Sequence, residues 1–144
     1  MVKCLVKVGD YNLPDDLYYY EKHTWVKLEG ELVRVGLDTI GLARAGKIVF
    51  IRIKQGKEVP QGKSFGTAEA GKGVIPLSAP ISGEIIESNP KVDKRNVADL
   101  NDDPYGEGWI VKMKPTNLDA DLKVLKHGDA VIPWAEAEIQ QINE

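Results

Sequence analysis

The sequence has a single cysteine, Cys4, in 144 residues, so no disulfide can close within the chain and a reducing compartment is expected. It has two histidines, His23 and His127, and no grouping of His, Cys, Asp and Glu at metal-ligand spacing, so neither a zinc site nor a Cys/His dyad has support. No nucleophile-elbow pattern is present. Long apolar runs are missing: nothing approaches the length of a membrane span. The opening MVKCLVKVGDYNLPDD offers neither a signal-peptide apolar region nor an Arg/Ser-rich transit composition. The expected localisation is cytoplasmic, with no membrane partner. An excess of positive charge is lacking too. The 19 basic residues against 22 acidic ones leave a net charge of -3, no basic stripe is present, and the tryptophans and tyrosines are not interleaved with arginines, so a nucleic-acid partner has no support. The chain is expected to be non-catalytic by itself, with no metal.

What is present centres on residues 66–83, GTAEAGKGVIPLSAPISG, where Lys72 stands between Gly71 and Gly73 with a strand-like run on each side. Both glycines can take the positive φ of a tight turn, and residues 64–69 and 74–77 carry the apolar and β-branched content of strands. This predicts a hairpin with Lys72 at its tip. Gly66, Gly71 and Lys72 also satisfy the spacing of a phosphate-binding loop. However, Gly73 replaces the required Ser or Thr, Glu69 would oppose a phosphate, and Val74, Ile75 and Pro76 are poor material for a helix N-terminus. Nucleotide binding is therefore set aside.

Along the chain, residues 2–8 read as an added edge strand and Asn12, Pro14 and the pair Asp15 and Asp16 as a loop. Residues 23–28 and 32–37 read as a hairpin turning at Glu29 and Gly30. Asp38 is a fair cap for a short helix closed by Gly46. Residues 48–53 read as a central strand with Ile48, Phe50 and Arg52 on one face and Val49, Ile51 and Ile53 on the other. Turns at Gly56 and Gly62 lead into the lysine hairpin, and residues 81–88 form a further strand. Pro104, Gly106 and Gly108 bend the chain into a strand over 109–113. The period then lengthens. Leu118, Leu122 and Leu125 predict a helix capped by Asn117 and stopped by Gly128, and Pro133 opens a last helix packed through Trp134, Ile139 and Ile142. Short, closely spaced strands argue for an all-β sandwich or barrel.

The hairpin, the upstream run GKEVPQGK (56–63), the stretch YYYEKHTWV (18–26) and above all NDDPYGEGWIVKMK (101–114) together resemble the glycine cleavage system H protein family of lipoyl carriers, over roughly residues 12–144. The resemblance implies a mainly β barrel-sandwich hybrid with helical additions, folded as one carrier domain over 1–144. Residues 1–11 would be an N-terminal extension and 116–144 a helical C-terminal segment.

It implies lipoate bound covalently to Lys72, with Gly71 and Gly73 presenting it, Glu69 helping a lipoate ligase or lipoyl transferase recognise the hairpin, and His23 lining the surface on which the arm rests. Biotin is disfavoured, because biotin carriers flank their lysine with methionines. The implied function is to shuttle an aminomethyl intermediate and reducing equivalents between glycine decarboxylase (the P protein), an aminomethyltransferase (the T protein) and dihydrolipoyl dehydrogenase.

Departures from the family pattern matter. Gly71 precedes the lysine, Pro76 follows it by four residues, and Thr24 stands where glutamate is usual. The first two of these features resemble H-like lipoate-binding proteins that carry sulfur intermediates for a heterodisulfide-reductase-like complex. An unmodified H-like scaffold or interaction module is a third reading.

Overall fold

The computed structural model describes residues 5–8, 11–14, 16–54 and 58–142. Two short strands, β1 (Leu5–Val8) and β2 (Tyr11–Pro14), pair antiparallel as a sheet of their own. The loop expected around Asn12 and Pro14 is therefore strand, with Pro14 at its terminal position, where proline is tolerated. The expectations for Val2, Cys4, Asp15 and Gly56 lie outside the described residues.

A six-stranded sheet follows the order β3 (Tyr18–Tyr19), β4 (Thr24–Glu29), β5 (Leu32–Leu37), β11 (Val111–Pro115), β10 (Gly83–Ser88), β7 (Glu58–Val59). A three-stranded sheet holds β6 (Ile48–Ile53), β8 (Ser64–Ala70) and β9 (Gly73–Ser78) in that order. Every paired strand runs antiparallel to its neighbour.

The inward faces of the two larger sheets bury Val26, Val33, Val35, Ile51, Phe65 and Leu77 in one apolar cluster, the middle of the sandwich. A second cluster, with Leu13, Leu17, Tyr19, Trp25, Ile40 and Val131, joins β2 to α1 (Thr39–Ala45) and α4 (Val131–Ile142). Trp25 anchors it. Its indole Nε1 donates to the carbonyls of Leu37 at 3.1 Å and Pro104 at 3.2 Å, and Gly36 leaves it room, since a Cβ there would come within 2.5 Å of the ring.

The strict alternation expected over residues 48–53 fails for a physical reason. Ile48 pairs with Ala70 but Phe50 with Glu69, so Val49 is the extra residue of a β-bulge. The bulge turns Ile48 and Ile51 into the core together and leaves Val49 exposed.

The helices also differ from expectation. After α2 (Ala98–Asp102), the helix expected through Leu125 is only α3 (Leu118–Leu122). Asn117 stands at its N-cap without a side-chain bond, and Gly128, at φ 62°, opens a 3-10 turn (Gly128–Ala130) instead of ending a helix. Leu125 still reaches the main core. Pro133 falls in the first turn of α4, where its missing N–H has no intrahelical partner to lose. Trp134 and Ile139 pack on the second cluster as expected. Ile142 ends the helix, and its side chain is outside the described ones. The 109–113 strand begins two residues later, at Val111. No helix among the described residues is long and apolar enough to cross a membrane.

Candidate carrier-lysine site and its cleft

β8 and β9 pair from Ser64 opposite Ser78 to Ala70 opposite Gly73, which leaves Gly71 and Lys72 as the turn. The positive φ expected of both glycines occurs at Gly73 alone, at 125°, a conformation that side-chain-bearing residues avoid. The tip is tied down by its backbone. The Gly71 N–H donates to the Lys47 carbonyl at 3.2 Å and the Lys72 N–H to the Ala45 carbonyl at 3.0 Å. Gly46 turns the chain between the two carbonyls that hold the tip, in a backbone conformation that favours glycine. It closes α1 at φ 87°, its N–H reaches the Leu42 carbonyl at 2.9 Å, and its missing Cβ would rest 3.5 Å from Gly71 Cα.

The Lys72 side chain is exposed, and no ion pair or side-chain hydrogen bond holds its amine among the described residues. The backbone is therefore fixed and the amine is free, as an acylation site requires. Glu69, also exposed, lies three residues before it on β8, opposite Val74.

His23 is not in the strand where sequence placed it. It sits in the turn before β4 at φ 71°, in the left-handed region that costs a non-glycine residue about 1–2 kcal/mol. Its surroundings hold it there. The His23 N–H donates to the Tyr20 carbonyl at 2.8 Å, its own carbonyl accepts from Asp38 N at 2.9 Å, and ring Nδ1 is 3.1 Å from Asp38 Oδ2. Such over-determined strain is characteristic of functional positions.

Asp38 is fully buried and does two jobs: Oδ1 caps α1 by accepting from the Gly41 N–H at 2.7 Å, while Oδ2 fixes the imidazole. Burial pushes its carboxyl above the ordinary range, opposed by the His23 hydrogen bond and charge and by the N–H groups of Gly41 and Ile40. On the far side of the ring, Arg44 Nη1 lies 3.5 Å from His23 Nε2 and 3.0 Å from Glu138 Oε2.

Between the hairpin and these groups opens a cleft of about 420 Å³, with Arg44 and Ala45 from α1, Ile75 and Pro76 from β9, and Lys22 and His23 at its end. A neighbouring recess of about 370 Å³ adds Glu21, Glu138 and Gln141. Thus Lys72, Gly71 and Gly73 come together at the tip with Glu69 beside them, while His23 lies at the end of the cleft that begins under the tip. Sequence reading saw Asp38 only as a helix cap and missed Lys22, Arg44 and Glu138 altogether. No group of three or more potential metal ligands exists among the described residues.

A family profile described as "Glycine cleavage H-protein" matches residues 17–136. The chain is 47% identical over 142 residues to glycine cleavage system H protein 2 of Aquifex aeolicus, covering 94% of this chain and 87% of that protein. It is 42% identical over 133 residues to a probable glycine cleavage system H protein 2 of Sulfolobus acidocaldarius, covering 89% and 88%. Among solved structures, a glycine cleavage system H protein from Mycobacterium marinum superimposes with a TM-score of 0.65 at 35% identity, covering 72% of this chain and 87% of that one.

Proposed function

The chain belongs to the glycine cleavage H-protein family, and from that premise we propose that Lys72 is the residue that takes the lipoyl group, in a non-catalytic carrier formed by one domain. Proteins of this family carry lipoate covalently on a lysine, and the barrel-sandwich fold is theirs. The observation that carries the choice of Lys72 is the free amine at the end of a hairpin whose backbone is pinned to α1 and Lys47. A ligase that docks on the tip meets Glu69, Gly71 and Gly73 around an unencumbered nucleophile. Acylation removes the lysine charge, and no ion pair among the described residues has to be broken to allow it.

Bound there, the dithiolane supplies a disulfide that takes up a transferred group and electrons reversibly. The chain's own residues do the rest. The hairpin keeps the attachment point clear of the body, so each partner meets the tether at the high effective concentration of an intramolecular encounter. The cleft under the tip, with His23 held by Asp38, gives the arm a resting place against the body of the protein.

The names of the relatives put the enzymes of glycine cleavage first among partners: glycine decarboxylase, the aminomethyltransferase and dihydrolipoyl dehydrogenase. Gly71 before the lysine and Pro76 after it favour, as a second reading, service to a heterodisulfide-reductase-like complex. Both readings use the same lysine.

Intact mass tests it. Co-expression with a lipoate ligase adds one lipoyl group to the wild type and none to Lys72→Arg, which keeps the wild-type fold by circular dichroism. A wild type that stays unmodified, or a Lys72→Arg protein that is still modified, overturns the assignment and favours the scaffold reading.

A further inference from the structure

The sheet of β6, β8 and β9 turns one face to the core through Ile51, Ala68 and Leu77, and its register fixes what stands on the other. Phe50, Glu69 and Val74 form one row across the strands, and Arg52, Thr67 and Pro76 the next. Arg52 lays its guanidinium over the Phe50 ring, 5.7 Å from the centroid. Val74 is 65% exposed, and Val49, the bulge residue before Phe50, is 52% exposed. Exposed apolar side chains that stand singly need no explanation. Here two of them lie in or beside one row with a half-buried phenylalanine, and that row ends two residues from Lys72.

The charge of this sheet runs against that of the chain. Lys47, Arg52, Lys54, Lys63 and Lys72 lie along its strands and tip. Lys94 and Arg95 stand at the edge of β6, where Lys94 and Ile51 exchange two backbone hydrogen bonds of 2.9 Å. Against these seven cations stand two carboxylates, Glu69 and Asp93, in a chain whose net charge is -3. All nine residues are exposed, and none of them forms an ion pair among the described residues. Further carboxylates lie only toward the borders: Glu58 on the other sheet, opposite Glu84, and Asp99 and Asp102 on α2, whose Asn101 bonds Ile48. Acylation of Lys72 still leaves six cations against two carboxylates.

We propose that this outer face is the docking surface for an enzyme that acts on the loaded arm, and that the enzyme meets it with an apolar patch rimmed by carboxylates. Val49, Phe50 and Val74 form the apolar centre, and Arg52 and Lys54 select the acidic rim. The proposal rests on the carrier reading of Lys72. Aromatic and arginine side chains are the types that concentrate binding energy at the middle of an interface, while charges around them steer the encounter and exclude wrong partners. A nucleic acid fits this face less well. Glu69 stands in the middle of the central row, where it would oppose a phosphate, and aliphatic side chains take the place of stacking platforms.

The test uses the full chain, lipoylated and checked by intact mass. It serves as substrate for purified glycine decarboxylase, aminomethyltransferase, dihydrolipoyl dehydrogenase and heterodisulfide-reductase-like complex of the same organism. The kcat/KM for the carrier is measured at about 50 and about 300 mM salt, on either side of the range where surface charges are screened. With at least one of these enzymes, Arg52→Glu with Lys54→Glu lowers kcat/KM about ten- to thirtyfold at low salt, chiefly through KM, and the loss shrinks at high salt. Val49→Ser lowers it at both salt concentrations, because its part is apolar. Lys27→Glu with Lys114→Glu makes the same change of net charge on the six-stranded sheet and stays within about twofold of the wild type. Urea unfolding confirms that every variant is folded. An equal loss in the two double variants, a loss indifferent to salt, or no loss with any of the enzymes overturns the docking face. Single-stranded DNA that binds the wild type but not the Arg52→Glu, Lys54→Glu protein, with kcat/KM unchanged, assigns the face to a nucleic acid and overturns it as well. Absence of the lipoyl mass increment fails the carrier reading instead.

Discussion

Tyr105 shows how far one side chain organises the neighbourhood of the site. Its hydroxyl accepts from the Thr39 N–H at 3.0 Å and lies 3.2 Å from Thr39 Oγ1, so it closes the first turn of α1 one residue after Asp38. Burial, with the nearby charge of Asp38, pushes the phenol well above its ordinary value of 10.0. A group raised in this way contributes stability that is complete below its unfolded pKa and is lost as pH rises toward the folded one. Wild-type stability therefore falls above about pH 10 by a component that Tyr105→Phe lacks. At neutral pH the same substitution costs about 1 kcal/mol for the lost hydrogen bonds. Urea unfolding of both proteins at neutral and alkaline pH checks this, with the gap between them narrowing as pH rises. A gap that widens with pH contradicts it.

At the scale of elements, the lysine hairpin and α1 act as one unit because the chain turns at Gly46 so that Ala45 and Lys47 both receive amides of the tip. At φ 87° and ψ -175° a side chain at residue 46 is strained by roughly 1–3 kcal/mol, so Gly46→Ala destabilises the chain by about that amount and loosens the tip. The amides of Gly71 and Lys72, bonded to Lys47 and Ala45, should exchange faster by amide hydrogen exchange while the amides of β4 and β5 do not. Uniform acceleration throughout the chain would mean that Gly46 matters to global stability only.

The hairpin itself was legible in the sequence because its determinants are local: two glycines, one lysine and β-branched flanks within a dozen or so residues. So was the cap at Asp38, three residues before the amide it binds. The bulge at Val49 was not, since a register shift is decided by the partner strand β8 and leaves no mark on the alternation of β6. Nor was the left-handed turn at His23, which is held by Tyr20 and by Asp38, fifteen positions on. The charged end of the cleft was hidden for the same reason. Lys22, Arg44 and Glu138 share no periodicity and meet only because α4 returns across α1.

On the scale of the whole molecule, the two apolar clusters divide the labour: the sandwich core holds the sheets that carry Lys72, and the second core fastens α4 over α1. Trp134 tests that division. Its ring lies 5.3 Å from His23 and 5.9 Å from Tyr19, centroid to centroid, yet its indole Nε1 is buried without a hydrogen-bond partner. An unmet buried donor costs about 1–3 kcal/mol, which offsets much of what the larger ring gains by packing. Trp134→Phe removes the donor and keeps an aromatic surface, so its stability stays within about 1 kcal/mol of the wild type. Trp134→Ala removes both and leaves a void, at about 2–4 kcal/mol. Because the hairpin is built on the other core, both variants still accept the full lipoyl increment on Lys72 under conditions where they are folded, which urea unfolding and intact mass together establish. If Trp134→Ala stays folded but is no longer lipoylated, the two cores are coupled through α1 and the division of labour is wrong. If Trp134→Phe is as damaging as Trp134→Ala, the unmet donor is not the liability argued for it.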